Sequence, residues 1–318
     1  MTPSQAPNQP SWEDRIGRRL KLRDLHVLAE VVRCGSMAKA AAQLAMSQPA
    51  VSEAISGLER AVGVRLLDRH AQGVGPTIYA EVLIRRTRAV FDELRQGVRE
   101  IEFLSDSTVG EIRIACPEFV AAGMLPRAIG SFIEKYPGVS FHVVHQDTTS
   151  LQNQELQDRV VDIVLRRLPD GFQDDDLIIE SLFHDPHWIV AGMKSPWARR
   201  RKISLDQLCE EPWILPPSPM IFDFLNSELA SRGLRLTNVS LTSASLLLRS
   251  ELLASGRYIS IMPSILVRNA KTWGLKHLEV DFDLRSPPIS LMMLRKRTPS
   301  PVVQRFIEHL RAIAATIR

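Results

Sequence analysis

The chain has 318 residues, too many for one ordinary hydrophobic core, so two or more domains are expected. With 45% hydrophobic and 24% charged residues it excludes general disorder and fibrous repeats, and its +4 formal charge permits nucleic-acid binding without indicating it. The three scattered cysteines, Cys34, Cys116 and Cys209, have no paired spacing and suit reduced, buried thiols.

Residues 1–20 are polar and proline-containing and read as a disordered leader. They lack the apolar core of a secretory signal, and no later run supplies the ~18 apolar residues of a membrane span, so a cytoplasmic protein off the membrane is expected. A first domain spans 21–78. Leu25, Leu28, Ala29 and Val32 share a helical face that Cys34-Gly35 terminates. Ser36 is placed to N-cap an alanine-rich helix over Met37–Leu44, and Ala45-Met46 turns the chain toward Ser47, a second N-cap. The third helix opens at Gln48-Pro49, where a missing N–H costs little, and Gly63 ends it after Val62. Val51, Ile55, Leu58 and Val62 form its buried stripe, leaving Gln48, Ser52, Glu53 and Ser56 outward. Residues 64–77, with Gly73, Gly75 and Pro76, read as strand, turn and return strand, a wing.

A linker helix follows over 79–104. Leu83, Thr87, Val90, Leu94, Val98 and Ile101 recur at near-heptad spacing along ~40 Å of helix, and such a stripe requires a partner. Residues 105–110 are a small polar hinge. From 111 to 318 strands and helices alternate as in a mostly parallel sheet flanked by helices. Strands are predicted at Ile112–Cys116, Ser140–His145, Asp162–Leu165, Trp188–Ala191, Val239–Thr242, Ile259–Met262 and Ile289–Leu294. Helices are predicted at Phe119–Tyr136, Leu151–Val160, Phe222–Arg232, Ala244–Ser255 and Val302–Ile317.

Gly35-Ser36, Ala41-Ala42, Leu44, Ser47-Gln48-Pro49-Ala50-Val51-Ser52, Ile55, Leu58-Glu59 and Gly63 occur in the order and spacing of one family, and residues 22–69 resemble the LysR-type transcriptional regulators. The resemblance implies an α+β chain: an N-terminal winged helix-turn-helix, the long linker helix, then a two-lobed α/β effector domain similar to periplasmic solute-binding folds. Small Ala38, Ala41 and Ala42 let the second helix approach the third, whose N-terminal end is then free for a major groove. There Gln48 can pair bidentately with adenine and Pro49 can touch a thymine methyl. Ser36, Ser47, Ser52 and Ser56 are candidate phosphate or base-edge contacts, and Arg60, Arg65 and Arg69 are placed to neutralise phosphate. Residues 1–110 hold 15 Lys/Arg against 13 Asp/Glu, so this footprint comes from local placement. Glu53 departs from the family pattern and either repels a phosphate or reads a cytosine amino group. Gly75-Pro76 and Ile78-Tyr79 depart from the usual wing letters. The resemblance further implies an antiparallel pairing of linker helices in a homo-oligomer, a dimer of dimers, and double-stranded DNA, a small-molecule effector and RNA polymerase as partners.

Proline interrupts the pattern near Phe183–Pro186 and Leu284–Pro288, which places two lobe crossings there: lobe one over 111–186 and 284–318, lobe two over 187–283. Ligands in such folds sit beyond strand ends, near helix N-termini. That mapping selects Pro117, Glu118, Phe119, Thr148, Thr149 and Ser150 from one lobe and Ser218, Met220, Ser243 and Ser245 from the other. Each hydroxyl at a helix start either caps the helix or meets the ligand. Helix N-termini favour an anion, whereas Glu118 argues against one. Tyr258, where the family segment usually carries a second glycine, is expected to alter the cleft. The Ser36-to-Lys39 pair lies inside a helix without the companion motifs of a serine nucleophile, and Pro186 separates His184 from His187 with no third ligand near. Neither an enzyme, a metal site nor a cofactor is therefore expected. The rival reading, a pure solute-binding protein, would account for 111–318 but not for the helical head before it.

Overall fold

The structure, a computed structural model, describes residues 19–70, 73–146, 153–169, 171–268, 274–280 and 286–317, with the Arg69 side chain also outside the description. Most of the expected leader therefore falls outside the described residues. The chain divides into two compact units at Arg95/Gln96.

In the first unit, α1 (Leu22–Cys34), α2 (Met37–Gln43) and α3 (Gln48–Val62) form a three-helix head. Each boundary has a chemical cause. Gly35 ends α1 in the left-handed conformation, the Ser36 hydroxyl accepts from Lys39 N at the start of α2, and the Ser47 hydroxyl accepts from Ala50 N at the start of α3. Gly63 closes α3 with its N–H on the Glu59 carbonyl. The helices bury Leu25, Leu28 and Val31 against Ala40 and Ala41 and against Val51, Ile55 and Leu58. Leu28 and Leu58 are fully buried, so truncating either to alanine costs about 2–5 kcal/mol.

The wing is an antiparallel pair, β1 (Leu67–His70) and β2 (Gly73–Pro76), in the register Leu67↔Pro76 through His70↔Gly73. It is bolted to the head twice: Val74 N donates to Gly35 O at 3.0 Å, and Leu66 N donates to the Glu59 carboxylate at 2.8 Å. Gly73 has φ +137°, and a Cβ there would lie 2.4 Å from Gly35 O, so only glycine fits the junction.

The long helix α4 (Ile78–Ser105) starts at Thr77, whose hydroxyl accepts from Ala80 N. Its first turns complete the head, where Ala80, Leu83, Ile84 and Phe91 join the core and Thr87 is buried. Leu83 and Thr87 thus drop out of the expected partner stripe, because the three short helices leave a face that only α4 can cover. Val90, Leu94, Val98 and Ile101 remain exposed on the helix.

The second unit contains two five-stranded sheets. The first uses β3 (Val109–Cys116), β4 (Gly138–His145), β5 (Ile163–Arg167), β6 (Leu177–Phe183) and, far later in the chain, β12 (Ile289–Leu294), in the order β4-β3-β5-β12-β6. Between them lie α5 (Glu118–Gly123), α6 (Leu125–Ile133) and the short α7 (Gln154–Gln157). The second sheet uses β7 (His187–Gly192), β8 (Trp213–Leu215), β9 (Val239–Thr242), β10 (Ile259–Pro263) and β11 (Leu275–His277), in the order β11-β7-β10-β8-β9. Its helices are α8 (Leu205–Leu208), α9 (Pro219–Ser231), α10 (Leu246–Ala254) and α11 (Ser264–Arg268), and α12 (Pro301–Ala314) packs back on the first sheet.

Sheet membership therefore changes between Phe183 and His187 and again before Ile289. In each sheet four strands share one direction and one is reversed: β12, antiparallel to β5 and β6, and β7, antiparallel to β10 and β11. These are the two strands the chain enters directly after crossing between lobes. A strand that begins where the others end must run against them.

Several expected elements are corrected. The helix expected over Phe119–Tyr136 breaks at Met124, where Gly123 packs so tightly on Ile265 that an added Cβ would lie 2.8 Å from it. The helix expected over Leu151–Val160 shrinks to Gln154–Gln157, and residues 151 and 152 lie outside the described set. Strands β6, β8 and β11 were not expected at all. Among the described residues no helix is long and apolar enough to cross a membrane.

Candidate functional site

Two regions collect the polar residues singled out from sequence. On the head, Ser47, Gln48 and Pro49 protrude exposed at the N-terminal end of α3, and Glu53, Ser56 and Arg60 continue that face outward. Ser36 and Ser47 spend their hydroxyl acceptors on helix caps at 3.5 and 3.3 Å, which leaves each O–H free to donate outward. Two grooves flank the helix. One, about 530 Å³, is lined by Glu53, Gly57 and Arg60 together with Arg19, Lys21 and Arg23. The other, about 500 Å³, is lined by Ser52, Ser56, Glu59 and Arg65 together with Asp68 and His70 of β1. Arg69 lies in β1 by its backbone, while its side chain is outside the described residues.

The basic trio Arg19, Lys21 and Arg23 was missed by sequence reasoning, which placed its first member in a leader. Its legible signal was the dense basic run ahead of α1. The trio also changes the reading of Glu53, which shares a groove with four cations and with Asp24 rather than standing alone against phosphate. Arg60 is held along α3 by its Nε, which donates to Ser56 O at 3.2 Å.

In the second unit a cavity of about 320 Å³ opens between the two sheets' lobes. Pro117, Glu118 and Phe119 from one lobe and Ser218 and Met220 from the other line it. Thr148, Thr149 and Ser150 lie outside the described residues. Ser243 and Ser245 do not line the cavity: the Ser245 hydroxyl accepts from Leu248 N to cap α10, and the Ser243 hydroxyl accepts from Ser245 N, both at 3.2 Å. Ser245 is drawn to the start of α10 because the helix would otherwise begin with orphan donors. Tyr258 also misses the cavity and packs against the hydrophobic core, so it does not shape the cleft. The single Gly256 (φ +83°) serves the turn, with an added Cβ lying 2.8 Å from Lys194 C.

Sequence reasoning missed the charged lining: Arg166, Arg167, His187 and Arg249. Arg167 ends β5 and ties both crossing segments together. Its Nη1 donates to Pro287 O and its Nη2 to Asp185 O and Oδ2, each at 2.7 Å, while its guanidinium lies 5.4 Å over the Phe119 ring. Asp185, fully buried, also accepts from Ser264 Oγ at 2.7 Å and Ile265 N at 2.9 Å, capping α11. His187 and Ser286 share a further hydrogen bond between the two crossings. Burial, then the charges of Arg167 and Arg249, hold the His187 pKa well below its ordinary value. Burial pulls Arg249 down to about 10 against the opposing charge of Glu118. Glu118 itself bridges the lobes by accepting from Leu246 N at 2.8 Å.

Comparison with known proteins gives this geometry its context. Residues 22–81 match the family model described as "Bacterial regulatory helix-turn-helix protein, lysR family", and residues 105–315 match "LysR substrate binding domain". The HTH-type transcriptional regulator TdcA of Escherichia coli (strain K12) is 26% identical over 244 residues, covering 76% of this chain and 77% of its own. The HTH-type transcriptional regulator GbpR of Azospirillum brasilense is 25% identical over 320 residues, covering 99% and 92%. Among solved structures, CbnR, a LysR family transcriptional regulator, superposes with TM-score 0.62 at 19% identity over 93% of this chain and 99% of that one. Full-length CbnR complexed with its target DNA gives TM-score 0.64 at 20% identity over 92% and 100%. These two likenesses establish a shared fold.

Proposed function

The chain belongs to the LysR family of DNA-binding transcriptional regulators with an effector-binding domain, and from that premise we propose that it binds an interrupted palindrome as a symmetric oligomer and changes transcription when a small metabolite occupies the interlobe cavity. The observation that carries the DNA half is the exposed face of α3, Gln48, Pro49, Glu53, Ser56 and Arg60, flanked by a groove with Arg19, Lys21 and Arg23. Phosphate contacts from the basic groove supply affinity and register, and Gln48 supplies base discrimination. Thr148, Thr149 and Ser150 remain part of the proposed effector site together with the cavity lining.

The exposed Val90, Leu94, Val98 and Ile101 of α4 support pairing with a second copy, since isolated in water they would leave a continuous apolar stripe. A two-fold head pair meets half-sites about one helical turn, ~34 Å, or a multiple of it apart. RNA polymerase contact and assembly as a dimer of dimers belong to the same reading. The deciding experiment is footprinting of genomic DNA with the purified protein, repeated with metabolites made by neighbouring genes. Protection of a two-fold site whose extent or bend shifts with one metabolite is the expected result. Absence of any retained duplex at low ionic strength would sink the reading.

A further inference from the structure

Resting on the cavity as the effector seat, we propose that its ligand is a small monocarboxylate with an apolar body, the carboxylate held by Arg249 and the body by Phe119, Met220 and Leu246. The starting point is that α10 is folded inside out. Leu247 (59% exposed) and Leu248 face water, while Arg249 and Ser250 occupy the buried face beside Leu246 and Leu253. Arg249 is 6% exposed and lines the cavity, and its Nε and Nη1 have no hydrogen-bond partner among the described residues. Burying a guanidinium with donors unmet is costly, so the position is one that a ligand completes. The fixed fork of donors fits a carboxylate bidentately.

Glu118 does not fill that role. Its carboxylate is already the acceptor for Leu246 N at the head of α10. Of the lining guanidiniums, Arg167 is already paired with the Asp185 carboxylate at 2.7 Å, whereas Arg249 keeps two buried N–H groups with no acceptor among the described residues, so the group that completes it is an acceptor, best a negative one. This answers the conflict seen in the sequence, where helix starts favoured an anion and Glu118 opposed one. Six prolines with no backbone N–H to offer give the remaining wall an apolar part, while His145, Gln146 and Ser218 add polar atoms to it. The apolar part of the wall rewards an apolar body. At about 320 Å³ the space suits a ligand near the small end of the usual range.

The test uses the full-length protein, calorimetry and thermal melting, and matched probes: benzoate, phenylacetate and hexanoate, each beside its neutral amide, with inorganic phosphate as a separate arm. The acids are expected to bind at least tenfold more tightly than their amides. Arg249→Lys should keep a weakened acid preference, and Arg249→Met should abolish it. Unliganded Arg249→Met should melt above the parent protein because it sheds a buried guanidinium with unmet donors, whereas a merely structural arginine would give a lower melting point. Amides equal to acids, phosphate competing as strongly as the acids, or an acid preference that survives Arg249→Met would each overturn the proposal and leave the effector seat standing. No binding by any probe also overturns it. If, in addition, no low-molecular-weight cell extract shifts the DNA footprint, the seat itself falls.

Discussion

Replacing Asp185 with alanine tests whether the crossing segments are truly clamped. The side chain is fully buried and satisfies three donors: the Ser264 hydroxyl at 2.7 Å, Ile265 N at 2.9 Å and Arg167 Nη2 at 2.7 Å. Removing it strands a guanidinium whose side chain is only 7% exposed and uncaps α11. Arg167 keeps Pro287 O and Asp185 O as acceptors, so the loss is partial. Breaking one side of a buried, hydrogen-bonded pair costs about 3–5 kcal/mol, and the value expected for Asp185→Ala lies in that range. Asp185→Asn keeps an acceptor for Ser264 and Ile265 but turns an amide toward Arg167, so about half that loss is expected. The assay is urea unfolding followed by tryptophan fluorescence, since Trp188, Trp197 and Trp213 lie in the second unit. A loss below about 1 kcal/mol for Asp185→Ala would refute the reasoning, because it would mean that Arg167 finds water through the cavity at no cost.

On the DNA side, Gln48→Ala should remove about 1–3 kcal/mol of discrimination between cognate and altered half-sites, measured by competition binding, whereas Arg60→Ala should weaken all duplexes alike and flatten the salt slope by about one unit. Unchanged specificity in Gln48→Ala would exclude that residue from readout. Stability should be pH-dependent through His187. Its folded pKa is depressed, so the unfolded chain takes up a proton near 6.5 while the folded chain does not. The contribution is complete above pH 6.5 and is lost as pH falls below it, by at most about 1.4 kcal/mol per pH unit. His277 and His309, also lowered by burial, act in the same direction. Urea midpoints between pH 7.5 and 5 should fall for the parent and fall less for His187→Asn, and equal slopes would contradict the assignment. Burial pushes the Cys116 thiol up to about 12 and also raises Cys209, whereas Cys34 is half-buried. A thiol reagent at pH 8 should therefore label Cys34 alone in the native protein, with the other two reacting only on unfolding.

The head was legible because its punctuation is local. Ser36, Ser47, Pro49 and Gly63 each act within one turn of where they stand, so letters and spacing located α2 and α3 nearly to the residue. The changes of sheet after Phe183 and before Ile289 fall beside prolines, which stop a strand by local chemistry of the same kind. What stayed hidden depends on distant neighbours. In β6 the buried ends Leu177 and Phe183 flank a half-exposed middle whose Glu180 pairs with Arg311 of α12, so no alternation shows. In β8 three consecutive buried residues are too short a run to separate from a loop. The break at Met124 follows from the contact of Gly123 with Ile265, more than a hundred residues away. Arg249 was missed because Leu246–Leu248 reads as the buried side of a helix, when tertiary packing turns two of those leucines to water and brings the arginine in.

The two reversed strands set how this protein can move. Each crossing leads into a strand bonded on both flanks: β12 lies between β5 and β6, with Ile289 opposite both Arg167 and Phe183, and β7 lies between β10 and β11. Each lobe is thus hung from an inner strand beside its edge strand rather than from the edge itself, so a twist at the pivot pulls on both neighbours of that strand instead of peeling an edge. The residues around Asp185 and Pro287, tied together by Arg167, are where the chain passes between the lobes and are expected to take up any rotation of one on the other. A substitution far out on either slab should leave the swing intact, while one beside the pivot changes its resting angle.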